Sequence, residues 1–173
     1  MTDFFDKARE KFHKLGMKIF EGDLQADNID LQPVISIGTA AGMVGLSVSA
    51  LRKYEREGLL IFFRTDTGRR LLSYSDLRRI KMIQQLINDI GLNIEGIRRL
   101  LAMLPCWELK PCSQEEKENC PAYIDPKSPC WMLDDSECAR KGADCRLCSV
   151  YRYGAYCADT MKSVVHHLDR FRQ

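Results

Sequence analysis

The 173-residue chain is 45% hydrophobic and 29% charged, enough for one sizeable core or two small ones, and no apolar run nears the roughly 20 residues that span a bilayer. Its first residues show no basic start ahead of an apolar stretch, so they do not read as a secretion signal; the expected location is the cytoplasm, where thiols stay reduced. The formal net charge of +2 hides an uneven split: residues 34–104 hold eleven Lys and Arg against six Asp and Glu, whereas 1–33 and 105–173 are slightly acidic. A basic middle third points to a polyanionic partner.

In chain order, Phe5, Ala8, Phe12, Leu15 and Ile19 recur at spacings of three and four, which predicts an amphipathic helix over 4–19. Residues 21–33 are acidic, lack a period and end in proline, so they read as a linker. Ser36 is the expected N-cap of a short helix that turns Ile37, Ala40, Ala41 and Val44 inward. Ser47 caps a second helix, "VSALRKYERE", which stops at Gly58, suited to a left-handed end. Then "LLIFFR", the turn "TDTG" and "RRLLS" predict a β-hairpin. Ser73 and Asp76 form a capping-box pattern opening a third helix with Leu77, Ile80, Ile83, Gln84 and Ile87 in phase. Gly91 ends it, Asn93 caps a fourth helix carrying Ile94, Ile97, Leu100, Leu101 and Leu104, and Pro105 stops that one. The order is that of a winged helix-turn-helix with two supporting helices.

In such a fold the second helix enters the major groove, which places Ser47, Ser49, Arg52 and Lys53 at base edges. Tyr54 offers a hydroxyl to a phosphate. Arg64, Arg69 and Arg70 flank the hairpin turn, where guanidinium groups suit phosphate contact, which sets register and reads no sequence. Residues 35–104, including "SVSALRKYEREGLL", "TGRRLLSYSDL" and "GLNIEGIRRLL", resemble the MerR family of bacterial transcription regulators, most closely its heat-shock repressor branch. The resemblance implies a homodimer on a double-stranded, pseudo-palindromic operator, with Arg52, Tyr54 and the wing arginines on DNA. RNA polymerase at promoters is then a further partner, and no membrane is involved. The chain departs from the family at Lys53, Arg69 and Leu72, where tyrosine is frequent. Members usually continue into a long coiled-coil helix, which Pro105 and the cysteines after it exclude. Residues 159–172, with Met161, Val164, Val165, Leu168 and Phe171 on one face, are a candidate substitute for core or dimer packing.

All eight cysteines lie between Cys106 and Cys157, spaced C-x5-C-x7-C-x9-C-x7-C-x6-C-x2-C-x8-C. Both tryptophans follow cysteines, in the repeated "PCW" of residues 105–107 and 129–131, and are expected to shield a sulfur from water. Cys145 and Cys148 form the one CxxC pair, whose turn lets both sulfurs reach one ion. Thiolates in fours suit tetrahedral zinc or an iron–sulfur cluster. Zinc would stabilise a segment too small for its own core; a cluster or reactive thiol pair would report redox state; free buried cysteines are the third reading. His166 and His167 point different ways on a helix and read as surface or packing residues. The pattern "CWELKPC", "CPAY", "PCW", "CRLCSVY" is similar to Cys–Trp modules attached to sensory and regulatory proteins of anaerobic bacteria. That resemblance covers 106–151 and implies a metal or redox module on Cys106, Cys112, Cys120, Cys130, Cys138, Cys145 and Cys148, with Cys157 outside it. An iron–sulfur cluster is favoured over zinc because a regulator gains from a reactive centre.

The resulting expectation is a mainly α protein: an N-terminal helix and linker (1–33), a winged helix-turn-helix with a two-stranded wing (34–104), a small metal-stabilised cysteine-rich domain (105–157) and a C-terminal helix (158–173). The expected function is sequence-specific transcription regulation, with the cysteines sensing redox or metal state. The alternative is an iron–sulfur electron-transfer protein with a vestigial helix-turn-helix. No Gly-rich phosphate loop, zinc-protease helix or nucleophile with its base suggests an enzyme.

Overall fold

A computed structural model describes residues 30–153 other than 111, 125 and 126. The helices expected at 4–19 and 159–172, together with Cys157, His166 and His167, lie outside the described residues. Strand β1 (Ile35–Ser36) leads into α1 (Ile37–Val44) and α2 (Val48–Arg56); strands β2 (Phe63–Arg64) and β3 (Arg70–Leu72) precede α3 (Tyr74–Asn88) and α4 (Ile94–Ala102). The cysteine-rich segment is a run of short pieces: α5 (Cys106–Leu109), α6 (Gln114–Glu118), α7 (Pro121–Ile124), a 3-10 turn at Cys130–Met132, α8 (Glu137–Arg140), a second at Cys145–Leu147, and α9 (Ser149–Tyr153).

Local chemistry sets the helix starts. Ser36, Ser47 and Asn93 accept from the backbone N–H of Thr39, Ala50 and Gly96, and Ser73 with Asp76 forms a reciprocal capping box. Each such cap contributes on the order of 1 kcal/mol by satisfying a donor the helix cannot. Gly58 (φ 71°) sits just past α2, where a Cβ would be strained. The wing is smaller than its sequence predicts. Leu59, Leu60 and Phe62 are buried in the core instead of extending β2, and a third strand joins the sheet, in the order β1-β3-β2. Ile35 pairs with Leu72, and Phe63 with Leu71. The end of the expected linker is also tied down: the Ser75 N–H donates to Asp30 O (3.1 Å), and Arg78 pairs with Asp30 (3.2 Å).

One core runs through Ala40, Leu51, Leu59, Leu72, Ile80, Ile83, Leu86, Ile97 and Leu101, and it takes in Val150 from α9. Cys106, Cys130, Trp131 and Cys148 pack against the same core. The boundary that the sequence draws at Pro105 is therefore covered over in three dimensions. The cysteine-rich segment lies on the winged helix rather than hanging from it.

Candidate DNA-contact face and cysteine cavity

Helix α2 is two-sided. Leu51 and Tyr54 face the core, whereas Ser49, Arg52, Lys53 and Arg56, at i, i+3, i+4 and i+7, share one exposed face. Ser47 stands at its amino end with its hydroxyl 2.8 Å from that of Ser49. Of the residues expected on DNA, Ser47, Ser49, Arg52 and Lys53 are thus on the solvent side. Tyr54 is placed differently: only 7% of it is exposed, and burial raises its phenol pKa. Packing between α2 and the core claims its ring.

The wing arginines divide. Arg69 is exposed in the turn, where Thr65 and Gly68 close the loop through Gly68 N–H to Thr65 O (2.8 Å). Arg64 and Arg70 both pair with Glu55 of α2, at 2.7 and 2.8 Å, one on each carboxylate oxygen. Glu55 therefore clamps the base of the wing to the recognition helix, and its single negative charge is shared by two of the three wing arginines. Sequence reasoning missed it, because a lone Glu in a charged helix carries no sign of partners nine and fifteen residues away.

All seven described cysteines line one cavity of about 40 Å³, together with Lys110, Ala122, Trp131, Glu137, Val150 and Tyr151. That is room for an ion or a water rather than an organic ligand. Asp144 caps the CxxC turn through the Arg146 N–H (2.9 Å), and Cys148 N–H donates to Cys145 O (3.2 Å), which delivers both sulfurs to the cavity. The two PCW cysteines meet there. A hydrogen bond from the Cys130 thiol holds the Cys106 thiol down to about 7, helped by backbone N–H groups against the cost of burial; the same bond, with burial, pushes Cys130 well up. Burial raises Cys112 and Cys145. For Lys110 burial works against the charge, but attraction from Cys138 and Cys148 outweighs it and raises its pKa.

The seven cysteines are free thiols, each partly exposed. As placed, no three His, Cys, Asp or Glu side chains among the described residues converge closely enough to hold an ion. The donor set fits a soft, thiophilic centre in chemistry, being almost all sulfur, while its spacing is that of a gathered but open set. Trp131 does border the sulfurs, as expected, and Trp107 stacks edge-on against Tyr123 (5.0 Å).

Residues 35–104 match the MerR HTH family of regulatory proteins. Over 71 residues the chain is 38% identical to the putative heat shock protein HspR of Streptomyces coelicolor and 37% identical to the HTH-type transcriptional regulator GlnR of Bacillus anthracis. Each match takes in 41% of this chain, against 47% and 54% of those proteins, so the chain spans about half the length of the curated relatives it matches. It is 33% identical over 95 residues to the HTH-type transcriptional regulator ZntR of Escherichia coli, covering 51% of this chain and 67% of that one. No helix among the described residues is long and apolar enough to cross a membrane.

Proposed function

Because the chain belongs to the MerR HTH family of regulatory proteins, we propose that it is a sequence-specific transcription regulator that binds operator DNA as a homodimer and senses metal or redox state through its cysteines. The observation that carries the DNA half is the exposed face of α2, with Ser49, Arg52 and Lys53 in phase, beside a wing held by Glu55. Serine and arginine there can bond to base edges, and Arg69 in the turn can meet a phosphate. RNA polymerase is the further partner this reading assigns at promoters.

The sensing half rests on seven sulfurs facing one small cavity. A thiolate-bound iron–sulfur cluster or zinc ion, held there by four of Cys106, Cys112, Cys120, Cys130, Cys138, Cys145 and Cys148, would cross-link short helices that have little core of their own. The chain's residues do the rest: the CxxC turn presents two sulfurs together, Lys110 offsets thiolate charge, and Trp131 keeps water off one side. We favour the cluster, since a reactive centre gives a regulator a signal to read.

Anaerobic purification with a visible spectrum and metal and sulfide analysis tests the sensing half. Iron with acid-labile sulfide identifies a cluster, and about one zinc per chain identifies a structural ion. Protein that retains neither, and a Cys145→Ser variant unchanged in metal content and operator affinity, would remove the sensing reading. DNA binding is tested separately: affinity for a duplex selected from a random pool should fall steeply with salt as phosphate contacts release counterions.

A further inference from the structure

Between the cysteine cavity and the DNA-contact elements lies a packed joint, centred on Arg79, Trp131 and Tyr151. Arg79 of α3 is 1% exposed. Its Nε donates to Leu59 O (2.7 Å) and its Nη1 to Tyr151 O (2.6 Å). The guanidinium lies 4.0 Å from the Tyr151 ring centroid and 5.0 Å from that of Trp131, and those two rings meet edge to face at 5.2 Å. Stacking against two aromatic rings suits a planar, weakly hydrated guanidinium.

What the rings hold is the link between recognition helix and wing. Trp131 Nε1–H donates to Gly58 O (2.8 Å), and the Tyr151 hydroxyl accepts from Ile61 N–H (2.9 Å). Gly58 O, Leu59 O and Ile61 N–H, three backbone groups within four residues, are thus satisfied by side chains from elsewhere. Two further ties flank the joint: Arg152 pairs with Asp76 at the start of α3 (3.0 Å), and Arg146 covers the ring of Phe63 in β2 (4.7 Å). Trp131 and Tyr151 also line the cysteine cavity. Trp131 follows Cys130 directly, and Tyr151 stands three residues after Cys148, so a shift of the backbone at either cysteine carries a ring with it.

We propose that this joint transmits the state of the cysteine cavity to DNA, with Trp131 and Tyr151 as the moving contacts and Arg79 as the positioning residue that registers them against the 58–61 link. The proposal rests on the sensing reading above and adds its route. Sulfurs drawn together hold both rings on the link, fixing α2 relative to the wing. Sulfurs released or oxidised free the rings, and Gly58 O and Ile61 N–H must find other partners while Leu59 O keeps only Arg79, which re-angles the wing. A buried polar group that loses its partner is costly enough to force rearrangement rather than tolerate the gap.

The test uses the full-length protein, purified anaerobically, and a duplex selected by the wild type from a random pool. Operator affinity is measured before and after treatment with a chelator and, separately, a mild oxidant. A coupling of ordinary size would change affinity by about 5–150-fold. Trp131→Phe/Tyr151→Phe keeps an aromatic ring at both positions and removes both hydrogen bonds to the link; the ratio of affinities should fall towards one while metal content stays at the wild-type level. Amide exchange at Ile61 should rise on treatment of the wild type, and should already be fast in untreated Tyr151→Phe. A wild type whose affinity responds while exchange at Ile61 does not would overturn the joint and leave sensing intact, as would a folded double variant that keeps the full ratio. A wild type that binds metal but shows one affinity in both states would overturn the sensing reading and the joint with it. Should the double variant lose its fold, Tyr151→Phe and the wild-type exchange data decide the matter.

Discussion

The two halves of this chain are held together by different physics. Residues 35–104 bury a continuous apolar set, from Ile35 and Ala40 through Ile80 and Ile83 to Leu101 and Leu104. Among the described residues of 105–153, the buried hydrophobics are Ala122, Val150 and Tyr151. Val150 belongs to the neighbouring core, and Tyr151 bonds to Ile61 and Arg79. What is left inside the segment is Ala122, the buried Pro105 and Pro129, the Trp107–Tyr123 ring pair, and capping and ion pairs such as the Ser113–Glu116 box and Lys141 with Glu116, which contribute little at a solvated surface. The second region thus borrows its stability from the first region's core.

The comparison breaks most sharply if the two halves unfold separately. Ile80 is wholly buried in the shared core, so Ile80→Ala should cost about 2–5 kcal/mol. Both tryptophans lie in the cysteine-rich segment, whereas helical circular dichroism reports mainly on 35–104. In urea, the two signals should move together to lower denaturant. A tryptophan transition left in place by the substitution would show that the segment stands alone.

A smaller effect probes the seam itself. A Cβ on Gly58 would lie 1.9 Å from Met132 Sδ, and the backbone there has φ 71°. Gly58→Ala should therefore destabilise by more than about 1 kcal/mol, from backbone strain plus collision with the cysteine-rich segment. Met132→Ala in the same chain should return the collision part and leave the strain. A double-mutant cycle with no coupling between the two positions would mean that the halves do not touch there.

The mildest test is on the DNA side. Glu55→Gln releases Arg64 and Arg70 at a stability cost within about 1 kcal/mol, because the pairs are partly exposed. Affinity for random-sequence duplex at low salt should rise, and its salt dependence should steepen by up to about two phosphate contacts. An unchanged slope would show that Glu55 does not restrain those arginines from DNA.

Much of the first half was legible because its signals are local. Ser36, Ser47, Ser73 and Asn93 each cap the helix that follows by accepting from the N–H three residues ahead, and apolar residues at helical spacing mark the buried sides of α1 to α4. β1 was not legible: two residues between a proline and a helix become a strand only because Leu71 and Leu72, more than thirty residues away, lie alongside. Tyr54 was assigned to DNA by its place in the recognition helix, yet the helix period turns it inward.

In the cysteine-rich half the order is reversed. Spacing marks the CxxC turn at Cys145 and Cys148, whereas the seven-cysteine set is what the resemblance to Cys–Trp modules implies, and the structure lines one cavity with those seven. Sequence by itself therefore determined the four helices between 37 and 102 and where they start, and which residue types are on hand for DNA and for a thiophilic centre, but none of the short helices of 106–153. Tertiary structure alone decided that Cys106 and Cys130 meet, that Glu55 holds two wing arginines, and that Arg79 sits between Trp131 and Tyr151. The physical reason is range. A cap or a helical period is fixed within a few residues, whereas these contacts join positions from nine to seventy-two residues apart, and only the packed core brings them within reach.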